Sequence, residues 1–269
     1  MNHQLTKRLI TAAILIPLFL FLLFYLSPPQ FCFFTAFITL AGAWEWTRLM
    51  GIKKLIWRFL YIALFTYVLF SMLLIYAPII FFFALSGWLL AIVLILRYPV
   101  SGGLSKNILW SGLIGMFVLV PCWAAINFIR NQDDGIYLLL FLFILIWGAD
   151  SAAYFVGKKW GKNKLAPAVS PGKTWQGCGG ALVFSFFWVG MVLYLEPLLW
   201  HKWLGIVLLA LITVVFSIVG DLFESMLKRQ VGLKDSGNLL PGHGGLLDRI
   251  DSLTAAAPIF ALGVVWLSK

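Results

Sequence analysis

Charge is what this sequence has least of. Only 30 of its 269 residues are Asp, Glu, Lys or Arg, 11% of the chain, against about 25% in ordinary soluble domains. Hydrophobic residues make up 62%, so a water-soluble core of this composition would have no solvated surface to present. Uncharged runs long enough to cross a bilayer recur along the chain. In hydrocarbon such runs are stable as helices, which satisfy every backbone group within one segment. The expected fold is all-α: a polytopic helical integral membrane protein.

Cysteine is scarce too. Cys32, Cys122 and Cys178 lie in apolar segments, are odd in number and form no CxxC, which excludes a disulfide framework or a Cys metal site and leaves them as packing residues. Of three histidines, His3 and His201 read as surface residues; only His243 sits among glycines. Acidic residues are half as numerous as basic ones, giving a net charge of +10. In a membrane protein that excess collects in cytoplasmic loops, so no nucleic-acid partner is expected. Internal repeats and low-complexity segments are absent as well.

The apolar runs divide into about nine spans. They are Leu9–Leu26, Phe31–Leu49, Phe59–Tyr76, Pro78–Leu96, Ile108–Ile129, Ile136–Val156, Gly177–Leu195, Trp203–Gly220 and Ser252–Leu267. Lys7-Arg8 ahead of the first run could open a signal peptide, but no small-residue cleavage site follows, so a retained span is expected. Ala77-Pro78 splits what would otherwise be one overlong run, and Pro121 should kink the fifth span. With the N-terminus cytoplasmic, every one of the 20 basic residues except Arg130, Lys202 and Lys269 falls on the inside, as the positive-inside rule requires. Residues 1–135 then read as a scaffold of about five spans, and 136–269 as a catalytic region of about four. Its polar loops, 157–176 and 221–251, face the cytoplasm.

Against this background the charges that remain stand out. Eight of the 30 fall between Glu224 and Asp251. On a helix Ser217, Asp221, Glu224, Ser225 and Lys228 share one face, and a polar stripe on a membrane helix lines a cavity or packs on other polar groups. Asp248 and Asp251, at i and i+3, point the same way if a helix starts there. With Asp221 they supply three carboxylates, suited to a hard cation completed by water and substrate phosphates. Asp150 and Glu224 are further candidates for that metal. Asp150 lies inside an apolar span, where a carboxylate needs a cavity, a cation or a partner such as Lys158; Tyr154 is one turn on. His243, between Gly242 and Gly244-Gly245, is placed to bind phosphate or to act as acid–base.

The loop at 162–177 holds Ser170-Pro171-Gly172-Lys173-Thr174 just before a helix start. Backbone N–H groups there, with Lys and Thr beside them, form a phosphate site. Gly172-Lys173-Thr174 resembles a Walker A ending, but Pro167 occupies the first glycine position, so a P-loop is rejected. Ser170, Lys173, Thr174, Ser225, Arg229, Lys234 and Arg249 are the candidate phosphate ligands. Basic residues for phosphates, carboxylates for Mg²⁺ and a membrane cavity for a lipid together suggest phosphoryl-group chemistry.

One run carries a family resemblance: Ser225-x-Leu227-Lys228-Arg229-x4-Lys234-Asp235-x-Gly237-x2-Leu240-Pro241-x-His243-Gly244-Gly245-x-x-Asp248-Arg249-x-Asp251. It resembles the signature of the phosphatidate cytidylyltransferase, or CDP-diacylglycerol synthase, family. Gly148-Ala149-Asp150-Ser151, the segment Lys164-Leu165-x-Pro167-x-x-Ser170-Pro171-Gly172-Lys173-Thr174 and Gly220-Asp221-Leu222-x-Glu224-Ser225 are similar to it as well. Gln176 stands where many members carry Glu, so no catalytic carboxylate is expected there. The resemblance implies that CTP or dCTP reacts with phosphatidate to give CDP-diacylglycerol and pyrophosphate, with Mg²⁺ and with K⁺ as a second ion. It implies a homodimer in a bacterial inner membrane. It places Asp221, Asp248 and Asp251 at the metal centre and Lys173, Lys228, Arg229, Lys234 and His243 on phosphates, with Asp221, Asp248, Asp251, Lys228 and His243 as the catalytic set. The alternatives are a CTP-dependent lipid-alcohol kinase, which would release CDP, and an ion-coupled transporter, which intramembrane acids and many spans also suit.

Overall fold

The computed structural model describes residues 13, 17–101, 103, 107–237, 239 and 244–267. Their order is α1 (17–25), α2 (Pro28–Leu49), α3 (Leu55–Ser71), α4 (Ala77–Leu96), α5 (Ile108–Arg130), α6 (Gly135–Trp160), β1 (Lys164–Ala166), β2 (Ser170–Thr174), α7 (Trp175–Leu195), α8 (Trp203–Gln230) and α9 (Leu247–Leu267). Helix starts follow local chemistry. Pro78 stands in the first turn of α4, where its missing N–H costs nothing. The Asn107 side chain accepts from Leu109 and Trp110 N–H at the head of α5, and Thr174 Oγ1 accepts from Gly177 N–H at the head of α7.

Seven helices among the described residues are long and apolar enough to cross a membrane: α3 with its following 3₁₀ turn, α4, α5, α6, α7, α8 with its preceding 3₁₀ turn, and α9. This is the polytopic helical architecture read from the apolar runs. Helix α2, with Glu45 and Arg48 in it, is not among the seven, and residues 9–12 and 14–16 of the first expected span lie outside the described residues. Several expected boundaries move: α3 is Leu55–Ser71 where Phe59–Tyr76 is expected, and α9 starts at Leu247 where Ser252 is expected, which puts Asp248 and Asp251 on helix. Helix α6 runs past Val156 to Trp160, and α8 runs past Gly220 to Gln230, so most of the chemistry expected between 217 and 230 stands on rigid helix. Between α6 and α7 the chain makes an antiparallel hairpin, with Lys164 opposite Thr174 and Ala166 opposite Ser170. Cys32, Cys122 and Cys178 are all free thiols.

Helix α9 is the centre of the bundle. It packs along α8 and against α5 and α4. Its Leu247, Ala255 and Ile259 belong to one hydrophobic cluster with α2, α3, α4, α5 and α8. Its Ala256, Ala257, Phe260 and Ala261 belong to a second with α1, α2, α4, α5 and α6. The run Thr254-Ala255-Ala256-Ala257 is buried throughout. Small side chains let neighbouring backbones close in on it, which is how helices associate where lipid removes the hydrophobic drive. Residues from both the 1–135 and the 136–269 regions share these clusters, so the expected scaffold packs around the helix whose first turn carries Asp248 and Asp251.

Candidate active site

The site forms where α8 and α9 touch at their polar ends. Gly220 makes the contact: a Cβ there would stand 2.5 Å from Asp251 O and 3.1 Å from Ala255 Cβ. That close approach brings Asp221, next in the chain, and Glu224, one turn on, within electrostatic reach of Asp251. A Gly220→Val enzyme is therefore expected to keep its helices but lose turnover by about 100-fold, the scale of a 1 Å misplacement. Circular dichroism beside a rate assay checks this, and an unimpaired rate would show that the two acids need no such registration.

Below the contact lies a buried ion-pair cluster. Lys228, 7% exposed, sits 3.3 Å from Glu224 Oε1 and donates to Asp248 Oδ1 at 2.6 Å. Ser236 N–H donates to Asp248 as well (3.0 Å to Oδ2), and Gly245 N–H donates to Oδ2 at 2.9 Å. Asp248 therefore ties α8 to both ends of the segment between them. Glu224 is 3% exposed, and neither of its oxygens receives a hydrogen bond; Lys228 is its counter-ion.

The upper side of the site is more open. The hairpin carries Lys173 to Asp221, with Nζ 2.6 Å from Oδ2 and the two side chains 25% and 30% exposed. Ser225 Oγ donates to Asp221 Oδ1 at 3.3 Å. Asp150, exposed on α6, accepts from Ser252 Oγ at 3.2 Å on α9 and lies within reach of the charges of Asp221 and Lys173. Lys158, its alternative partner in the sequence, sits over the Tyr154 ring instead.

The other expected phosphate ligands divide by exposure. Arg229, Lys234 and Arg249 are exposed around the segment between α8 and α9, with Arg229 donating to Leu233 O at 3.4 Å. Ser170 is half-buried in β2. Thr174 is 4% exposed and caps α7, which positions Lys173 beside it. Gln176 Oε1 accepts from Lys162 and Asn163 N–H at 3.1 and 3.2 Å, closing the base of the hairpin. His243 lies outside the described residues.

Among the described residues no three His, Cys, Asp or Glu side chains form a ready metal nest. The three carboxylates expected from the sequence are engaged differently: Asp248 accepts from Lys228 and two N–H groups, Asp221 pairs with Lys173, and Asp251 accepts from Ser252 N–H and lies within electrostatic reach of Asp221, Glu224 and Lys228. The donor set still suits Mg²⁺, which takes one or two carboxylates and leaves its other positions to water and substrate phosphates.

Sequence reasoning passed over one carboxylate. Glu45, on α2 and 2% exposed, accepts from Leu247 N–H at 3.0 Å and from Ser236 Oγ at 3.3 Å. Its signal in the sequence was its burial cost alone: it is the one acid in the spans before Asp150.

A sequence model of the cytidylyltransferase family matches residues 6–267. The chain is 43% identical over 272 residues to a phosphatidate cytidylyltransferase of Pseudomonas aeruginosa, covering 98% of this chain and 97% of that one. It is 38% identical over 283 residues to a phosphatidate cytidylyltransferase of Haemophilus influenzae, covering 96% and 98%. A third relative of the same name, from Bacillus subtilis, is 40% identical over 176 residues, covering 63% and 64%.

Proposed function

This chain belongs to the cytidylyltransferase family, and we propose that it transfers the cytidylyl group of CTP or dCTP to phosphatidate, giving CDP-diacylglycerol and pyrophosphate. The observation that carries the reading is the pair of lysine–carboxylate contacts, Lys173–Asp221 and Lys228–Asp248, at the polar end of a membrane-helix pair. Such an end can meet a lipid phosphate from one side and a nucleotide from the other.

A phosphate oxygen of phosphatidate attacks the α-phosphorus of CTP. The new P–O bond forms as the bond from the α- to the β-phosphoryl group breaks, and pyrophosphate leaves. At neutral pH the attacking phosphate is already largely ionised, so no strong general base is needed. Lys173 exchanges Asp221 for an incoming phosphate oxygen, and the freed carboxylate turns to the site. Lys228, held from two sides, keeps the first turn of α9 in place. Arg229, Lys234 and Arg249 draw the anionic nucleotide in from water, and Ser170, Ser225 and His243 add hydrogen bonds to phosphates. Asp221 and Asp251 would hold Mg²⁺, with Asp150 and Glu224 behind them and K⁺ as a second ion; the metal would supply charge that offsets the repulsion between the two anions and steadies the leaving group.

The positive-inside bias supports nine spans, a cytoplasmic N-terminus and a site on the cytoplasmic side. A bacterial inner membrane and a homodimer follow from the family resemblance. The test is purified protein with phosphatidate, Mg²⁺ and labelled CTP. A CDP-lipid with one pyrophosphate per turnover supports the reading. Release of CDP would make the enzyme a kinase, and ion flux without nucleotide would make it a transporter.

A further inference from the structure

We infer that Glu45 is a positioning residue for cytidylyl transfer: it clamps Ser236 and the first residue of α9 so that Asp248 keeps its place beside Lys228. The inference rests on the assignment of the active site above.

Four observations converge on it. Glu45 comes from α2, about two hundred residues away in sequence, yet one oxygen takes two donors from the two ends of the site segment, Ser236 Oγ and Leu247 N–H. A carboxylate at a helix N-terminus answers both the unpaired N–H groups and the positive end of the dipole. Ser236, fully buried, is held twice: its hydroxyl by Glu45 and its backbone N–H by Asp248. Displacing Glu45 therefore loosens the residue that Asp248 also grips, and Asp248 is the partner of Lys228. Finally, a Cβ at Gly237 would collide with Glu45 Oε1, so the absence of a side chain there admits this carboxylate. Glu45 Oε1 itself receives no hydrogen bond.

The docking of α2 does not depend on the carboxylate. Trp46 Nε1 donates to Ser111 O at 2.8 Å on α5. Gly42, one turn before Glu45, packs directly on Leu247. Those contacts survive replacement of Glu45, which separates a positioning role from a merely structural one.

The experiment uses the full chain in detergent micelles, comparing Glu45→Ala, Glu45→Gln, Ser236→Ala and the double variant Glu45→Ala/Ser236→Ala. Two readouts are taken: kcat and KM for CTP and phosphatidate, and the rate of tryptic cleavage after exposed Lys234 relative to that after exposed Lys53 and Lys54. Glu45→Ala should lower kcat about 30-fold, within the range that misplacement of reacting groups produces, with both KM values changed less than about threefold. Cleavage after Lys234 should rise at least about fivefold while the control sites stay constant. Glu45→Gln, which keeps an acceptor oxygen for both donors, should retain kcat within about threefold. The double variant should be no slower than Glu45→Ala, because the two groups act through one contact.

Unchanged cleavage after Lys234 in Glu45→Ala overturns the clamp. Faster cleavage with unchanged kcat overturns the inference by a different route, removing the catalytic centre from this segment. Losses that multiply in the double variant also overturn it. If Glu45→Ala is not recovered folded, Ser236→Ala, which deletes one hydroxyl, decides by the same two readouts.

Discussion

Replacing Lys228 by Met should lower the thermal unfolding midpoint sharply and stop turnover. Met keeps most of the aliphatic stem, so the packing is conserved and the charge alone is lost. The ammonium lies between Glu224 and Asp248 at 3.3 and 2.6 Å, with all three side chains largely buried. Removing one partner from a buried ion pair costs about 3–5 kcal/mol, because the remaining charge keeps its desolvation penalty. The two acids should suffer unequally. Asp248 retains the Ser236 and Gly245 N–H groups, whereas Glu224 has no other donor. Adding Glu224→Gln to the Met variant should therefore restore more of the midpoint than adding Asp248→Asn. Thermal unfolding of the wild type and the three variants in one detergent measures this. A Met variant with an unshifted midpoint, or a better rescue by Asp248→Asn, would refute the account of the cluster.

Asp221→Asn should lower kcat/KM by about 1,000-fold, the upper end of what removal of one charge-stabilising group costs. Asp221 joins the open half of the site: it pairs with Lys173, accepts from Ser225 and acts on both Asp150 and Asp251. Lys173→Met should cost about 100-fold on the same scale, chiefly as a higher KM for CTP. The two should not multiply. Groups that act as a unit show strongly non-additive losses, so the double variant should fall no further than Asp221→Asn alone. Initial rates over a matrix of CTP and Mg²⁺ concentrations check this. A double variant about 100-fold slower than Asp221→Asn would mean that Lys173 and Asp221 work on different parts of the substrate.

Much of this site is legible along the chain because its parts are helical neighbours. Glu224 and Lys228, four apart on α8, form the ion pair that their spacing suggests. Ser225 reaches Asp221 by the same rule. Ser217, on the same stripe, turns back to its own helix and donates to Val214 O. Pairings between distant residues are hidden. Asp248 and Asp251 share charge and helix, yet one accepts from Lys228 and two N–H groups while the other accepts from Ser252 N–H, within electrostatic reach of Asp221, Glu224 and Lys228. Which cation answers which acid is settled by the approach of α8 to α9 at Gly220, and a sequence does not display an interhelical distance. Glu45 is the extreme case, since nothing local to Trp44-Glu45-Trp46 points to Ser236 or Leu247. The hairpin at 164–174 turns at Pro167-Ala168-Val169 and carries Pro171-Gly172 inside β2; in the sequence its prolines, glycine and lysines read equally well as a plain basic loop.

Helix α8 has 28 residues, a length of about 42 Å at 1.5 Å per residue, whereas the hydrocarbon layer is about 30 Å thick. The surplus is about two turns, and it is the stretch from Asp221 to Gln230 that carries the acids and lysines. The helix is thus a ruler. Its apolar length fixes where it sits, and its polar end projects to the height of lipid headgroups. A phosphatidate molecule can present its phosphate at that height with both acyl chains still in their leaflet. The enzyme has no need to lift its lipid out of the bilayer, and the nucleotide has no need to enter it.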